Sequence, residues 1–591
     1  MKRNEVKEQY KWKTDDIFSS DEDWERQFAK AEKSLDLSKF AGTLHDSDKL
    51  LQFFKEDEKF SILLETLGIY AHLKHDEDTA VSKYSAYFAK IGALYDKYST
   101  ELAFFDPEMA KQDEKYLKSL ISDKRFSDYE YILKKIIKRK AHTISEKEER
   151  LIGMAGEIFE TFNETFGMID NIELPLSEIE WEGKKAKISH GLYGIILHSD
   201  NREKRKEVYE KYYGAYTSLI NTLRSVYYGN VKKDVYLSKV YKYNSCLERA
   251  LFDEDVDRSV YDNLLKTVDA NLPSMHRYVA DRKKILGYDK LYFYDINAPL
   301  VSGSDFKLPY DEAYEYVVNG LAPLGKEYQA LLKKGHDERW IDVEETEGKR
   351  SGAYSACCPN VHPFVLLNYT QTTFDMFTIA HEMGHSLHSY FSSKNQPYAK
   401  SNYTIFVAEV ASTVNEVLLL KHMLANATDE KLKKYLLNYY LDSIRATLHR
   451  QTMFAEFEYG AHAMAEKGEP LTTENLCKLY ADIGKKYYGN DIEHDYNISC
   501  EWARIPHFYR SFYVYKYATG IISAINIANR ILTEGQSAVN DYFKFLSGGS
   551  STDPVSLLKL AGVDLTTQKP YDFAMREFDK TLKEFEKLMG I

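Results

Sequence analysis

The sequence predicts a mainly α-helical protein with two or more lobes. Its 591 residues are more than one hydrophobic core accommodates comfortably. Hydrophobic residues make up 44% of the chain and charged residues 29%, which is typical of a globular protein rather than a disordered one. Only 13 prolines and 29 glycines interrupt the chain, and this scarcity favours long helices.

The N-terminal part of the chain reads as paired helices followed by a hairpin. Residues 15–165 carry apolar side chains at three- and four-residue intervals among many Lys and Glu residues. Around Glu182 and Gly183 the pattern becomes apolar and β-branched, which predicts a small β-hairpin. Ser199 and Asp200 are then expected to cap another long helix. We therefore expect a helical N-terminal lobe over residues 1–198, ending in the hairpin, and a second domain over 199–591.

A short strand is predicted in the irregular segment 338–371. The piece PFVLLNY (363–369) is apolar and follows turn residues, as expected for a strand of a small β-sheet beside the next helix. Because Pro363 cannot donate a ladder hydrogen bond, the strand begins at or after it, and an edge position is favoured. The pattern after this strand is helical to the C-terminus.

Charge and composition argue against several classes of function. The net charge is -12 and the pI about 5.9, whereas a nucleic-acid-binding protein needs clustered positive charge. The basic run 134–140 is interpreted as a solvated helix face rather than a binding patch. The N-terminus lacks the apolar stretch of a secretory signal, and no run approaches the ~20 apolar residues of a membrane span. Five scattered cysteines fit a cytoplasmic protein without disulfides.

The segment FTIAHEMGHSLHSYF carries a candidate metal site. His381 and His385 are four residues apart, so on a helix both imidazoles lie on one face and can reach one cation. Zinc binds imidazole well, and Glu382 is placed to accept a proton from a water at the metal. A glycine in mid-helix, Gly384, indicates close backbone packing or a functional reason. The motif has only three fixed positions and also occurs by chance.

The third metal ligand is expected on the next helix, TIFVAEVASTVNEVLLLKHML. Its two carboxylates, Glu409 and Glu416, lie in an apolar setting where an unpartnered carboxylate is costly. They are two helical turns apart, so one can bind zinc while the other supports a ligand. The alternative for each is a salt bridge to a neighbouring lysine.

Two further residues of the motif helix are candidates for supporting roles. His388 continues the histidine series at i+7 and is expected to pack or to support the ligands rather than to bind the metal itself. Asp375, six residues before His381, is a candidate for orienting a metal-bound imidazole.

A histidine- and tyrosine-rich segment follows near the C-terminus. In RIPHFYRSFYVYKYATG, His507 is close in sequence to Tyr509, Tyr513, Tyr515 and Tyr517. Amide hydrolysis needs a donor that stabilises the developing oxyanion, and a histidine or a tyrosine can serve. The alternative is that this tyrosine-rich helix belongs to the core.

These segments together resemble the thimet oligopeptidase-like zinc metallopeptidases, and among them most nearly the oligoendopeptidase F type. The resemblance is collinear over most of the chain and rests on KRSGAYS (349–355), PFVLLNY (363–369), DMFTIAHEMGHSLH (375–388), FVAEVASTVNE (406–416) and IPHFYRSFYVYKYATG (505–520).

The resemblance implies roles for individual residues. The zinc ligands would be His381, His385 and Glu409, with Glu382 as general base. His507 and Tyr515 fit best as the groups that stabilise the tetrahedral intermediate. The spacing here is shorter than in the thimet-type members, and Phe512 stands where a tyrosine is expected, so the identity of the acting tyrosine stays open.

The resemblance also implies how a substrate is held. It indicates a mostly helical fold with two lobes around a deep channel that admits short peptides and excludes folded proteins. PFVLLNY, with Leu366 and Asn368, would be an edge strand that pairs with substrate backbone. A loop around Gly352 and Tyr354 would close over the peptide. The remaining substrate-binding candidates are Tyr509 and Tyr513.

We therefore expect a zinc endopeptidase with one zinc per chain, which cleaves internal bonds of short peptides in the cytoplasm. It is expected to have no nucleic-acid or membrane partner. One alternative is a metallocarboxypeptidase on a related fold, and another is a non-catalytic peptide-binding protein. Cobalt or manganese could replace zinc in vitro. Subsite preference, oligomeric state and the extent of lobe closure are left open by the sequence.

Overall fold

The computed structural model describes residues 1–301 and 307–591, and the mainly α-helical fold is confirmed. Its α-helices are numbered in chain order: α1 Asp21–Ser34, α2 Ser47–Glu77, α3 Ser82–Leu102, α4 Phe105–Lys111, α5 Glu114–Ser122, α6 Glu130–Arg139, α7 Glu146–Met154, α8 Gly156–Met168, α9 His190–Leu197, α10 Arg202–Ser218, α11 Ile220–Val240, α12 Cys246–Glu254, α13 Arg258–Leu286, α14 Tyr310–Gly320, α15 Lys326–Asp337, α16 Thr373–Asn395, α17 Tyr398–Ser401, α18 Ile405–Asn426, α19 Glu430–Ile444, α20 Arg450–Glu466, α21 Thr473–Tyr488, α22 Tyr496–Ser499, α23 Tyr515–Glu534, α24 Gln536–Leu546, α25 Pro554–Leu560 and α26 Lys569–Met589.

The strands are short and form three small sheets. They are β1 Glu178–Trp181, β2 Lys184–Lys187, β3 Leu291–Tyr292, β4 Ile341–Asp342, β5 Tyr354–Ala356, β6 Phe364–Leu366 and β7 Ile492–Glu493. β1 pairs with β2 and β3 with β7, while the third sheet has the order β4-β6-β5.

Side-chain caps explain where many of the helices begin. In each case an oxygen of the residue before the helix accepts a backbone N–H of the first turn, which satisfies a donor that has no partner inside the helix. Such caps are Ser20, Asp46, Asp113, Ser189, Asn201, Ser245, Asp257, Thr372, Asp429, Thr472, Asp495 and Asp553. Asn201, rather than the expected Ser199 or Asp200, caps α10, because its Oδ1 reaches Lys204 N.

The chain divides into two compact units, each assembled from three separate stretches. Unit 1 comprises Met1–Thr143, Asp305–His422 and Ile527–Val563; unit 2 comprises Ile144–Ser304, Met423–Asn526 and Asp564–Ile591. The predicted boundary at residue 198 does not coincide with a unit boundary. Helical periodicity shows which face of a helix is buried but not which distant helix covers it, so the sequence suggested only contiguous domains.

Unit 1 contains the three-stranded sheet, and β6 is its central strand. The N–H groups of Val365 and Leu367 donate to Trp340 O at 2.9 Å and Asp342 O at 2.8 Å, while β5 pairs antiparallel on the other side. The expected edge position of this strand is therefore wrong. Pro363 lies before the first residue of β6, so its missing donor does not interrupt the ladder.

Unit 2 contains the predicted hairpin, in which β1 and β2 pair antiparallel on either side of Glu182 and Gly183. Both turn residues have positive φ, 51° and 75°, as a tight two-residue hairpin turn requires. Towards the C-terminus, two single-turn 3₁₀-helices, Glu501–Arg504 and Pro506–Tyr509, precede α23. No helix in the described ranges has the length and apolarity that crossing a membrane requires.

Candidate metal centre and active-site residues

Helix α16 presents the histidine motif and begins at a capping box. Thr372 Oγ1 accepts Asp375 N at 3.2 Å, and Asp375 Oδ2 accepts Thr372 N at 3.0 Å. The same oxygen accepts Thr370 N at 2.9 Å and Thr370 Oγ1 at 2.7 Å. The carboxylate of Asp375 thus fixes the start of the helix. Its expected role beside a ligand imidazole is corrected, because that position is taken by Glu416.

Three side chains of unit 1 form a cluster suited to a metal ion. The Nε2 atoms of His381 and His385 are 3.2 Å apart, and Glu409 Oε2 lies 3.3 Å from the first and 3.5 Å from the second. Zinc–ligand distances of about 2.0–2.1 Å in a tetrahedron place neighbouring ligand atoms about 3.4 Å apart. The three separations therefore fit a tetrahedral site with one position left for a water or a substrate.

The charges of this cluster also favour a cation. Burial raises the pKa of Glu409, but hydrogen bonds from His381 and His385 outweigh it and hold that pKa well below its usual range. Burial lowers the pKa of His381, yet its bonds to Glu409 and Glu416 hold the net value well above normal. The ligand set thus binds positive charge strongly, in the form of protons or of a metal ion.

Glu416 supports the first ligand from the adjacent helix. Its Oε1 accepts a short hydrogen bond from His381 Nδ1, which leaves Nε2 directed at the cluster. A carboxylate in this position fixes the tautomer and the orientation of a metal-bound imidazole. Ser412 was not singled out in the sequence, and its Oγ donates to Glu409 Oε2 at 3.2 Å.

Glu382 lies between the two histidines in sequence and is 7% exposed. Burial raises the pKa of its carboxyl group, against the opposing effect of His381 and His385. A carboxylate with a raised pKa is a stronger base than an ordinary glutamate, which suits it to accept a proton from water.

Helices α16 and α18 touch backbone to backbone beside the cluster. A Cβ on Gly384 would lie 2.5 Å from Ser412 Cα and 2.8 Å from Ala411 O, so only glycine fits there. The close packing expected from this mid-helix glycine is confirmed. Asn415 Nδ2 also donates to Ala380 O at 2.9 Å and ties the same two helices together. An asparagine inside the apolar run VASTVNEV was the available signal for this contact.

His388 is a packing residue. Its ring stacks on Tyr403 at 3.7 Å between centroids and lies 5.1 Å from Phe545. Burial lowers its pKa to about 3, so the ring is neutral. Neither ring nitrogen has a hydrogen-bond partner within the described part of the chain. The supporting role expected for His388 at the metal is corrected, because its ring packs against Tyr403 and Phe545 and forms no hydrogen bond to a ligand residue.

The loop before β5 is fastened to the end of α2. Tyr354 OH donates to Asp76 Oδ2 at 3.0 Å and its ring stacks on His72 at 5.3 Å. Burial opposes the ionisation of Asp76, but hydrogen bonds from His72 and His75 lower its pKa to about 2. Gly352 has φ +88° and open space around it, so this part of the loop can approach a ligand closely.

The two residues predicted from β6 do not offer a substrate surface in the expected way. Leu366 is fully buried in the core between β4 and β5. Asn368 Nδ2 donates to Arg350 O at 3.0 Å and to Gly352 O at 2.8 Å, so it shapes the glycine loop. The edge strand beside α16 is β5, where Ser355 Oγ and Ser386 Oγ are 2.8 Å apart.

In unit 2 the structure groups His507 with two tyrosines other than the one expected. His507 Nε2 lies 3.2 Å from Tyr517 OH, and its ring is stacked on Tyr513 at 5.8 Å. Tyr515 is 1% exposed and packs on Tyr261 at 5.3 Å. Its predicted catalytic role is corrected, because residues 515 and 517 face different sides at the start of α23.

Tyr509 is also a core residue, since it stacks on Phe166 at 4.4 Å and contacts Tyr227 at 6.2 Å between centroids. Its predicted role in substrate binding is therefore not supported by its position. His507 is half-buried, and burial together with the charge of Arg510 lowers its pKa, which keeps the imidazole neutral near pH 7.

Comparison with known families identifies the group to which the chain belongs. The family model described as "Peptidase family M3" matches residues 195–577, and the model "Oligopeptidase F" matches residues 108–175. The chain belongs to peptidase family M3. Because the family's oligoendopeptidase F members match over the full length, the expected resemblance is confirmed, and the protein is a metalloendopeptidase.

The relatives cover nearly the whole chain. It is 42% identical to "Oligopeptidase PepF" of Bacillus subtilis (strain 168) over 591 residues, which are 99% of this chain and 88% of that protein. It is 38% identical to "Group B oligopeptidase PepB" of Streptococcus agalactiae serotype III (strain NEM316), over 100% and 98%. The crystal structure of oligoendopeptidase-F from Enterococcus faecium matches with a TM-score of 0.75 at 33% identity, over 96% and 99%.

Proposed function

We propose that this M3 peptidase uses one zinc ion per chain, bound by His381, His385 and Glu409, to cleave internal bonds of short peptides. The observation that carries the proposal is the set of three ligand-atom separations between 3.2 and 3.5 Å. Two imidazoles and one carboxylate, with a fourth position open, are a ligand set typical of catalytic zinc.

In this mechanism Glu382 moves the proton. A zinc ion held by His381, His385 and Glu409 would polarise the scissile carbonyl and lower the pKa of a nearby water. The carboxylate of Glu382 accepts the proton of the attacking water and later delivers it to the nitrogen of the leaving amine. Glu416 holds the His381 ring in the tautomer that presents Nε2 to the ion.

We propose that His507 and its hydroxyl partners stabilise the developing oxyanion. A neutral imidazole donates one N–H, and a tyrosine donates its O–H. The half-buried Tyr513 and Tyr517 replace Tyr515 in this role, because they lie beside His507 whereas Tyr515 is in the core.

We further propose that peptide backbone pairs with the edge strand β5 rather than with β6. An edge strand has free N–H and C=O groups that an extended peptide can use. Gly352, whose carbonyl accepts a hydrogen bond from Asn368, lies in the loop just before β5, and Tyr354, which donates to Asp76, is the first residue of the strand. A cytoplasmic location is consistent with the five cysteines, which are all free.

The decisive variant is Glu382→Gln, which keeps the shape of the side chain but removes the base. Zinc should remain bound at one ion per chain, measured by elemental analysis, while kcat on an oligopeptide falls by at least about 10²–10⁴-fold. Substantial residual turnover by the zinc-loaded variant would contradict the role of Glu382. A peptide blocked at both termini and analysed by mass spectrometry should be cut internally; a carboxypeptidase would leave it intact.

A further inference from the structure

The segment between His507 and helix α23 has a backbone conformation that needs external support. Phe512 has φ +58°, in the left-handed region that bulky residues rarely adopt. Such a conformation is strained and persists only where its surroundings enforce it. The segment 508–512 belongs to unit 2, and the residues at its two ends, Phe508 and Phe512, are buried.

A buried carboxyl group on α20 meets the strained residue. Phe512 N donates to Glu458 Oε1 at 2.7 Å, and Glu458 is 1% exposed. Its second oxygen has no hydrogen-bond partner among the described residues. Burial raises the pKa of Glu458 to about 8, so near neutral pH the group is mainly an uncharged acid that accepts one amide hydrogen bond.

Helix α11 holds the same segment from another side. Ser511 Oγ donates to Asp234 Oδ2, and Asn230 Nδ2, one turn earlier on α11, donates to Phe508 O at 3.2 Å. His462, one turn after Glu458, links the two helices because its Nε2 lies 3.3 Å from Asp234 Oδ2. Asn230, Glu458 and His462 are all buried, and none of them is used by the mechanism above.

These contacts hold the backbone of the short segment that carries His507, Tyr513 and Tyr517, the half-buried side chains proposed to stabilise the oxyanion. Phe508, whose carbonyl accepts the bond from Asn230, directly follows His507 in sequence. Phe512, whose N–H donates to Glu458, directly precedes Tyr513. A change in the φ and ψ angles of Phe512 would therefore rotate Tyr513 and the start of α23 relative to His507. In the structure the ring centroids of His507 and Tyr513 lie 5.8 Å apart.

We propose that Glu458, together with Asp234, is a positioning residue that fixes His507 and Tyr513 in the geometry they need for catalysis. The inference rests on the proposed oxyanion role of His507. It assigns to the α20 acid a purely hydrogen-bonding function: the acceptor oxygen matters, and the negative charge does not.

Two variants of similar size separate the acceptor from the charge. Glu458→Gln retains an oxygen for Phe512 N and should keep kcat within about threefold of wild type. Glu458→Met fills similar space without a comparable acceptor and should lower kcat about 10- to 100-fold, the order expected for a displacement near 1 Å at a catalytic group. KM and the zinc content should change little. Wild-type kcat for Glu458→Met, or equal damage in both variants, would overturn the proposal.

A double-mutant comparison distinguishes positioning from general destabilisation. If Glu458 acts through His507, then Glu458→Met should cost little further kcat in a His507→Ala background. An equal fold-loss in both backgrounds would refute the positioning role. Wild-type kcat for His507→Ala alone would instead refute the proposed role of His507, and with it this inference.

Ser511→Ala provides a second measurement if Glu458→Met does not fold. Ser511 is only partly buried, so the variant should fold normally. Loss of its bond to Asp234 should lower kcat roughly three- to tenfold at unchanged KM, consistent with one hydrogen bond. An unchanged kcat for Ser511→Ala in a normally folded protein would count against the supporting role of Asp234.

Discussion

Adding one methyl group at Gly384 should weaken metal binding without touching a ligand. An alanine Cβ would stand 2.5 Å from Ser412 Cα, where ordinary contact begins at 3.4 Å. The clash is with backbone, so no side chain can rotate away, and α16 and α18 must separate by about 0.9 Å if the contact is to become normal. The two helices carry His385 on one side and Glu409 on the other, so their separation changes the ligand distances directly.

The size of the effect follows from two tolerances. Metal–ligand distances in proteins are held to about ±0.2 Å, and a shift near 0.9 Å is several times larger. Overpacking of this kind costs about 1–3 kcal/mol. If most of this free energy must be spent on bringing His381, His385 and Glu409 back into position to bind the ion, then zinc affinity should fall on the order of 10- to 100-fold.

The assay is zinc affinity by chelator competition, at a temperature well below the unfolding transition. Gly92→Ala in α3 is the matched control, because a Cβ there has nothing within 4 Å. It should leave zinc affinity unchanged and raise stability slightly, since alanine favours a helix by about 1 kcal/mol over glycine. Wild-type zinc affinity for Gly384→Ala, with or without a lower Tm, would refute the coupling of helix separation to the metal centre.

Two further predictions follow from the surroundings of the cluster and the loop. Removing the partner of His381 in Glu416→Ala should lower zinc affinity about 10- to 100-fold by chelator competition, and unchanged affinity would exclude an orienting role. Because the pKa of Asp76 is lowered from 3.8 to about 2 in the folded protein, its ionised carboxylate stabilises the fold at pH values above 3.8. This contribution to stability is lost as the pH falls from 3.8 towards about 2. Between pH 3.8 and about 2, the Tm of Asp76→Asn should therefore fall less than the Tm of the wild type. Parallel curves of Tm against pH for the two proteins would contradict the stabilising role of Asp76.

The parts of the molecule that sequence could predict are those governed by short-range periodicity. His381 and His385 share a helix face because they are four residues apart, and the structure brings them to Glu409 on the next helix. The hairpin at Glu182 and Gly183 was also predictable, because a tight turn restricts its residues to very few conformations.

The parts that could not be predicted depend on pairing between distant segments. Whether β6 is an edge or a central strand depends on β4, some twenty residues earlier, and nothing local to PFVLLNY records that partner. Which of Tyr515 and Tyr517 lies beside His507 depends on the backbone between residue 507 and the start of α23. Because Phe512 has a positive φ shortly before α23, the sequence spacing of the tyrosines does not show which side of the chain each of them faces.

A common device fixes both sets of candidate catalytic residues. In unit 1 the amide of Asn415 donates to Ala380 O, the carbonyl immediately before His381; in unit 2 the amide of Asn230 donates to Phe508 O, immediately after His507. In each case a buried amide on one helix holds the backbone next to a functional histidine on another element. A buried amide left without its partner costs about 1–3 kcal/mol, so each contact strongly disfavours displacement of that backbone. The two histidines are thus positioned through their main chains as well as through their rings, since His381 Nδ1 bonds to Glu416 and His507 Nε2 lies beside Tyr517 OH.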